Sequence, residues 1–335
     1  MARPQIGLDA SILRANARAW ARHARVPVRA VVKSDGYGWG AARIVGPLND
    51  LVDAFMVADL AEFDCVRALT DRPIALLGDV PPATIGRVLD AGGIPTISST
   101  DGLAAVRSWR VERDRPARVR VGLRPAVAWS GFDADELRAL APQFAAADCD
   151  LECWTHVTDP GFEAGQRAAL TEAVAILRAA GARVVATDVE STLPLARQPS
   201  TESTVRIGVG LFGARLGAGP GELRCAIVVR APLIRAEPAR GQLVGYGTLR
   251  APMAGFLAVV RCGYGDGFPR VRPGAAEPIL SVGMQYAVLC ATLKFNGPDL
   301  ELLGSGSDID ALADAAGIAP QEAVVRLGVG ANQSQ

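Results

Sequence analysis

The chain has 335 residues, with 35 basic side chains against 35 acidic ones, and half of its residues are apolar. That length suits one large domain plus a smaller one, and the even balance excludes the excess charge that draws a protein to nucleic acid or to a membrane surface. No stretch approaches the roughly 20 apolar residues needed to cross a bilayer, and the opening MARPQIGLDA lacks the basic start and apolar core of a signal peptide, so a cytoplasmic protein is expected.

Cys65, Cys149, Cys153, Cys225, Cys262 and Cys290 are scattered, with no CxxC pair, and His23 and His156 are the only histidines. This pattern predicts reduced thiols and no metal site. A sharper compositional fact is that only Lys33 and Lys294 are lysines, every other basic residue being Arg. Arg cannot form an imine with an aldehyde or lose its proton at workable pH, so a lysine kept in such a chain is a candidate for chemistry. Lys294, in TLKFNG, reads as a plain surviving surface residue; Lys33 stands out by its surroundings.

In chain order, DASILRANARAWARHA predicts a helix with Asp9 as N-cap. Short β-branched runs then recur at 28–33, 54–59, 73–78, 94–98, 118–123, 151–157, 184–189 and 204–209, with amphipathic stretches such as AEFDCVRALT and ADELRALAPQF between them. Eight such units predict an α/β fold of the (β/α)8 TIM-barrel type, although spacing alone also admits a doubly wound open sheet. After about residue 223 the pattern changes to strands separated by Gly and Pro turns, with one late helix around IDALADAAG, which predicts a mainly β C-terminal domain. The expected division is a barrel domain over 1–223 and a β-rich domain over 224–335.

In a barrel, chemistry gathers where the strands end. Lys33 ends the first predicted strand, His156 the sixth, Glu190 and Ser191 follow the seventh, and Arg206, Gly208 and Val209 lie on or just beyond the eighth. These residues are distant in sequence and would converge on one mouth.

The segment AVVKSDGYGWG carries the specific motif, followed in order by WTHVTD, VRIGVGLFG, CGYGDGFPR, VGMQ and DLELLG. Together these resemble the alanine racemase family over nearly the full chain. The resemblance implies a barrel with a β domain, pyridoxal 5'-phosphate (PLP) as cofactor and a homodimer with shared active sites. It implies that Lys33 holds the cofactor covalently and acts as one base, and that Tyr264, from the partner subunit, is the acid/base on the opposite face of a small amino acid. Tyr37, Ser191 and the amides of Gly208 and Val209 would hold the phosphate, His156 would lie beside the ring, Arg206 would face the ring nitrogen, and Met284 would lie on the substrate side. A guanidinium stays protonated, so it donates to that nitrogen and keeps the ring a weaker electron sink, which favours racemisation over transamination.

The substrate side departs from the pattern. Trp129 and Ser130 stand near the position of the family's substrate-clamping Arg, Arg120 replaces an upstream lysine, Gln285 replaces an Asp after the Met, Thr187 and Trp39 replace histidines, and the end GVGANQSQ lacks the family's terminal Arg and Tyr. Arg124 or Arg120 are the candidates to bind the substrate carboxylate. Two alternatives to racemisation stand beside it: another α-carbon reaction on the same scaffold (a decarboxylase or epimerase, or a different amino acid), and a non-catalytic PLP-binding protein.

Overall fold

A computed structural model describes residues 2–124, 130–157, 160–189, 192, 203–217, 219–247, 249–272 and 278–333. Strand β1 (Gln5–Leu8) leads into helix α1 (Ala10–Ala24), where the Asp9 carboxylate accepts from the Ser11 and Ile12 amides at 2.8 and 3.1 Å as expected of an N-cap.

Eight parallel strands follow: β2 (Val28–Val31), β3 (Ala54–Val57), β4 (Ile74–Asp79), β5 (Gly93–Ile97), β6 (Arg118–Gly122), β7 (Asp150–Trp154), β8 (Arg183–Asp188) and β9 (Val205–Ile207). Helices α2 (Ala41–Leu48), α3 (Leu60–Arg67), α4 (Pro82–Asp90), α5 (Thr100–Arg113), α6 (Ala134–Ala146) and α7 (Glu163–Ala179) intervene. The strands are laddered in the order β8-β7-β6-β5-β4-β3-β2-β9, which is the barrel expected from the alternating pattern and not an open doubly wound sheet. Every residue of β2 and β3 is buried, because helices cover one face and the barrel interior the other. Among the described residues β8 and β9 share no ladder; side chains bridge that seam instead, with the Thr187 amide donating to Ser203 Oγ at 3.2 Å and Arg206 pairing with Asp188.

The remaining strands are β10 (Ile227–Pro238), β11 (Leu243–Val244), β12 (Leu249–Arg250), β13 (Phe256–Val260), β14 (Ile279–Val282), β15 (Ala287–Ala291) and β16 (Asp299–Leu303). All but the β11–β12 pair join one antiparallel sheet, and β1 enters it beside β10, with Ile6 opposite Val229. The sequence assigns no strand ahead of the first helix; β1 is short and gains its structure only from a partner more than 200 residues away.

Two helices close the chain, α8 (Ile309–Ala316) and α9 (Pro320–Gln333). The first coincides with the predicted late helix. The second carries Gly328 and Gly330, each unfavourable in a helix by about 1 kcal/mol, which hides it from a propensity reading. It forms because Val324 and Leu327 are fully buried against the rest of the molecule.

Candidate active site

The loop after β2 has an uncommon backbone. Ser34, Asp35, Gly36 and Tyr37 all lie in the left-handed region, with φ of 56°, 50°, 63° and 58°. Each non-glycine there costs roughly 1–2 kcal/mol, so the turn persists only because its surroundings over-determine it. The Gly36 amide donates to Val32 O at 2.9 Å and the Gly38 amide to Ser34 O at 2.7 Å. Asp35 accepts from the Ala41 amide at 2.8 Å, starting α2, and the Glu62 carboxylate bridges the amides of Ser34 and Ala58. This left-handed turn lets Lys33 and Tyr37 face one cavity. Glu62 escaped the sequence reading, since an acidic residue in a first helical turn looks like routine capping.

That cavity, about 840 Å³, is lined by Lys33, Tyr37, Ser130, Trp154, His156, Thr192, Arg206, Gly208 and Val209, with Gln321, Glu322 and Val325 of α9 at one side. Six of the expected site residues therefore converge at the ends of β2, β7 and β9. Ser191 and Trp129 lie outside the described residues.

Tyr37 is buried, and burial raises its hydroxyl above the ordinary range, so it stays a proton donor. A Cβ built on Gly208 would fall 2.0 Å from Tyr37 Oη; only glycine lets the phenol lie against this backbone. Burial, with the Arg206 and Lys33 cations nearby, pulls the His156 imidazole down to about 3, which makes it neutral at physiological pH.

Arg206 is held from behind. Its Nε donates to Asp188 Oδ1 at 2.9 Å and one terminal nitrogen donates to Thr155 O at 2.6 Å. Among the described residues the other terminal nitrogen has no partner, and Arg206 lines the cavity. Asp188 also accepts from Arg120 at 3.1 Å, and both guanidiniums lie over the Trp154 ring, 4.7 Å away for Arg120 and 5.1 Å for Arg206. Deeper in the barrel Glu152 pairs with Arg29, and with Arg118 at 2.6 Å. Burial raises the Glu152 carboxyl, but Arg29, Arg120 and Arg118 prevail and hold it below the usual carboxylate range. Arg120 is drawn down by burial to about 9, and stays cationic at neutral pH. The sequence reading missed Asp188, Glu152 and Arg29. Their signal was present as charged residues at inward positions of otherwise apolar strands.

The substrate-side candidates lie elsewhere. Arg124 does not line the cavity; it pairs with Asp133 at 3.4 Å and Glu136 at 3.2 Å, the capping-box residues of α6. Arg120 is buried below the cavity on Asp188. Half-buried Tyr264 and exposed Met284 and Gln285 form a separate cluster. The Tyr264 amide donates to Gly283 O at 3.0 Å, Gly265 to Met284 O at 2.8 Å, and Arg261 to Gln285 O at 3.0 Å. Tyr264 lines a second concavity with Arg270, Arg326 and Val329. A hydrogen bond with Tyr246 raises its hydroxyl above the ordinary value.

Residues 8–216 match the family model for the alanine racemase N-terminal domain. An alanine racemase of Acidiphilium cryptum is 30% identical, over 98% of this chain and 97% of that protein. The chain belongs to the alanine racemase family. Among solved structures, the alanine racemase of Acinetobacter baumannii superposes with a TM-score of 0.84 at 21% identity, covering 97% of each chain. That of Bartonella henselae, solved with covalently bound pyridoxal phosphate, gives 0.77 at 22% identity over 98% of each. Those two likenesses confirm the architecture of a curled parallel barrel with a mainly β C-terminal portion.

The cavity fits the family's cofactor on its own geometry. A lysine amine, a buried phenol against a glycine that admits no side chain, and a guanidinium nitrogen without a partner among the described residues all face one space.

Proposed function

We propose that the chain is a PLP-dependent amino-acid racemase acting on a small amino acid, with alanine the first candidate. The observation that carries it is the convergence of Lys33, Tyr37, His156, Arg206, Gly208 and Val209 on one cavity in a member of this family. Bound PLP supplies an electron sink that acidifies the substrate's α-C–H. Lys33 would hold the cofactor, Tyr37 and the amides of Gly208 and Val209 its phosphate, and the remaining Arg206 nitrogen its ring nitrogen.

Inversion at a carbon needs one group on each face, because a single base returns the proton to the side it left. Lys33 Nζ is the group on one face, and Tyr264 Oη the group on the other. Tyr264 does not line the Lys33 cavity within one chain. We therefore place it, with Met284 and Gln285, in the partner's site of a cytoplasmic homodimer. Held protonated by its neighbour Tyr246, Tyr264 is set as the proton donor in one direction of the reaction. Neutral His156 beside the cavity adds no cation that would compete for the substrate carboxylate. The division into a cofactor-binding barrel over 1–223 and a β domain over 224–335 belongs to this proposal, with β1 contributed across to the β sheet.

Arg206 is the only arginine lining the cavity among the described residues, and Arg124 is tied to Asp133 and Glu136. This favours, as a second reading, another amino acid or another α-carbon reaction on the same scaffold. The deciding experiment is a chiral screen of the common amino acids with PLP present, with carbon dioxide release followed in parallel. Borohydride should trap a cofactor mass on the Lys33 peptide, and Lys33→Ala should abolish it. Tyr264→Phe should cost about two or more orders of magnitude in racemisation. A colourless reconstituted protein with no added mass on that peptide overturns the proposal, trapping at Lys33 without turnover of any amino acid points to a carrier, and an unchanged rate in Tyr264→Phe removes Tyr264 from the reaction.

A further inference from the structure

The C-terminal helix α9 touches both turns that the functional reading assigns to proton transfer. On one side it meets the turn after Lys33. A Cβ on Gly328 would come within 2.7 Å of Tyr37 O and Gly38 C, and one on Gly38 within 3.0 Å of Val325 O. Trp39 Nε1 donates to Val324 O at 3.2 Å, and Asn332 Nδ2 to Gly38 O at 2.8 Å. On the other side it meets the Tyr264 turn. A Cβ on Gly330 would fall 2.0 Å from Asp266 O, and one on Gly267 would fall 2.4 Å from Arg326 O. Residues two apart on a helix point about 200° apart at 3.6 residues per turn, so the two glycines serve opposite faces. Val325 lines both concavities.

We propose that α9 is a two-faced positioning element, in which Gly328 seats the turn bearing Lys33 and Tyr37 while Gly330 seats the turn bearing Tyr264. In a dimer with shared sites those turns serve different active sites. Each face of α9 therefore seats a turn that serves a different site, and the two seats can be disturbed separately. The roles of the two turns rest on the functional reading above; the double contact of α9 is independent of it. Glycine at 328 and 330 is then required by close approach, which explains a helix that tolerates two poor helix formers two residues apart.

The test is a split between cofactor affinity and turnover. PLP affinity is read by absorbance titration, kcat is read at saturating PLP, and the unfolding temperature is recorded for each variant. Gly328→Ala and the milder Asn332→Ala should weaken PLP binding by about tenfold, equivalent to about 1.4 kcal/mol, and lower kcat as well to the extent that Lys33 is displaced. Gly330→Ala should leave PLP affinity near wild type and lower kcat by about tenfold to a hundredfold, the scale of a 1 Å misplacement. A loss of PLP affinity in Gly330→Ala equal to that in Gly328→Ala, or no change in any variant, overturns the assignment. If Gly330→Ala does not fold, Asn332→Ala alone decides, and wild-type PLP affinity in that variant sinks the proposal. Wild-type protein that fails borohydride trapping at Lys33 indicts the functional reading, whereas normal trapping with unsplit losses indicts α9 alone.

Discussion

Asp188 is the residue on which the cavity floor depends, and its removal gives the largest expected effect. The carboxylate is fully buried and accepts from Arg206 at 2.9 Å and from Arg120 at 3.1 Å, both guanidiniums being buried as well. Asp188→Ala leaves two desolvated cations side by side without their shared anion. Breaking a buried pair by deleting one partner costs about 3–5 kcal/mol, and the remaining Arg206–Arg120 repulsion places this case toward the upper end. Asp188→Asn keeps one acceptor oxygen and should lose about half as much. Asp188→Ala also frees Arg206 Nε, leaving only the bond to Thr155 O to aim the guanidinium. Denaturant unfolding of the apoprotein at fixed concentration measures the first effect, and the absorbance maximum and affinity of PLP measure the second. Adding Arg120→Met to Asp188→Ala removes one stranded cation and should recover part of the loss. A stability change below about 1 kcal/mol in Asp188→Ala, or an Asp188→Ala/Arg120→Met protein no more stable than the single variant, would refute the ionic account of the floor.

Two further outcomes follow from the site. Folding takes His156 from an ordinary value near 6.5 to about 3, so between those values the unfolded chain binds a proton that the folded one does not. Stability should therefore fall as pH drops from 6.5 toward 3; between pH 6.5 and 5 the wild type should lose about 1–2 kcal/mol more than His156→Gln, and parallel urea curves for the two proteins would contradict this. Gly208→Ala inserts a carbon 2.0 Å from Tyr37 Oη and must displace the phenol. Its PLP affinity should fall about tenfold or more; titration with wild-type affinity would show that the Tyr37–Gly208 cradle does not hold the phosphate.

Much of this was legible beforehand because it is written in local pattern. Eight β-branched runs separated by amphipathic stretches correspond to β2 to β9, since a parallel strand buried on both faces has to be apolar almost throughout. Lys33, Tyr37, His156, Arg206, Gly208 and Val209 fall at strand ends that a barrel brings to one mouth, so their convergence follows from topology alone. Arg124 illustrates the limit. Its place near a missing clamp suggested substrate binding, yet the nearer carboxylates Asp133 and Glu136 claim it.

The amino-acid order by itself determined the repeating α/β architecture, the β character of the C-terminal portion and the choice of Lys33 as the candidate amine, because periodicity and residue chemistry are properties of short segments. Only the tertiary structure decided that β1 joins a strand more than 200 residues distant, that Asp188 and Glu152 neutralise the arginines inside the barrel, and that a glycine-bearing helix separates the lysine turn from the tyrosine turn. Those features arise from close approach and buried charge pairing between remote segments. Such terms exist only once the chain has folded.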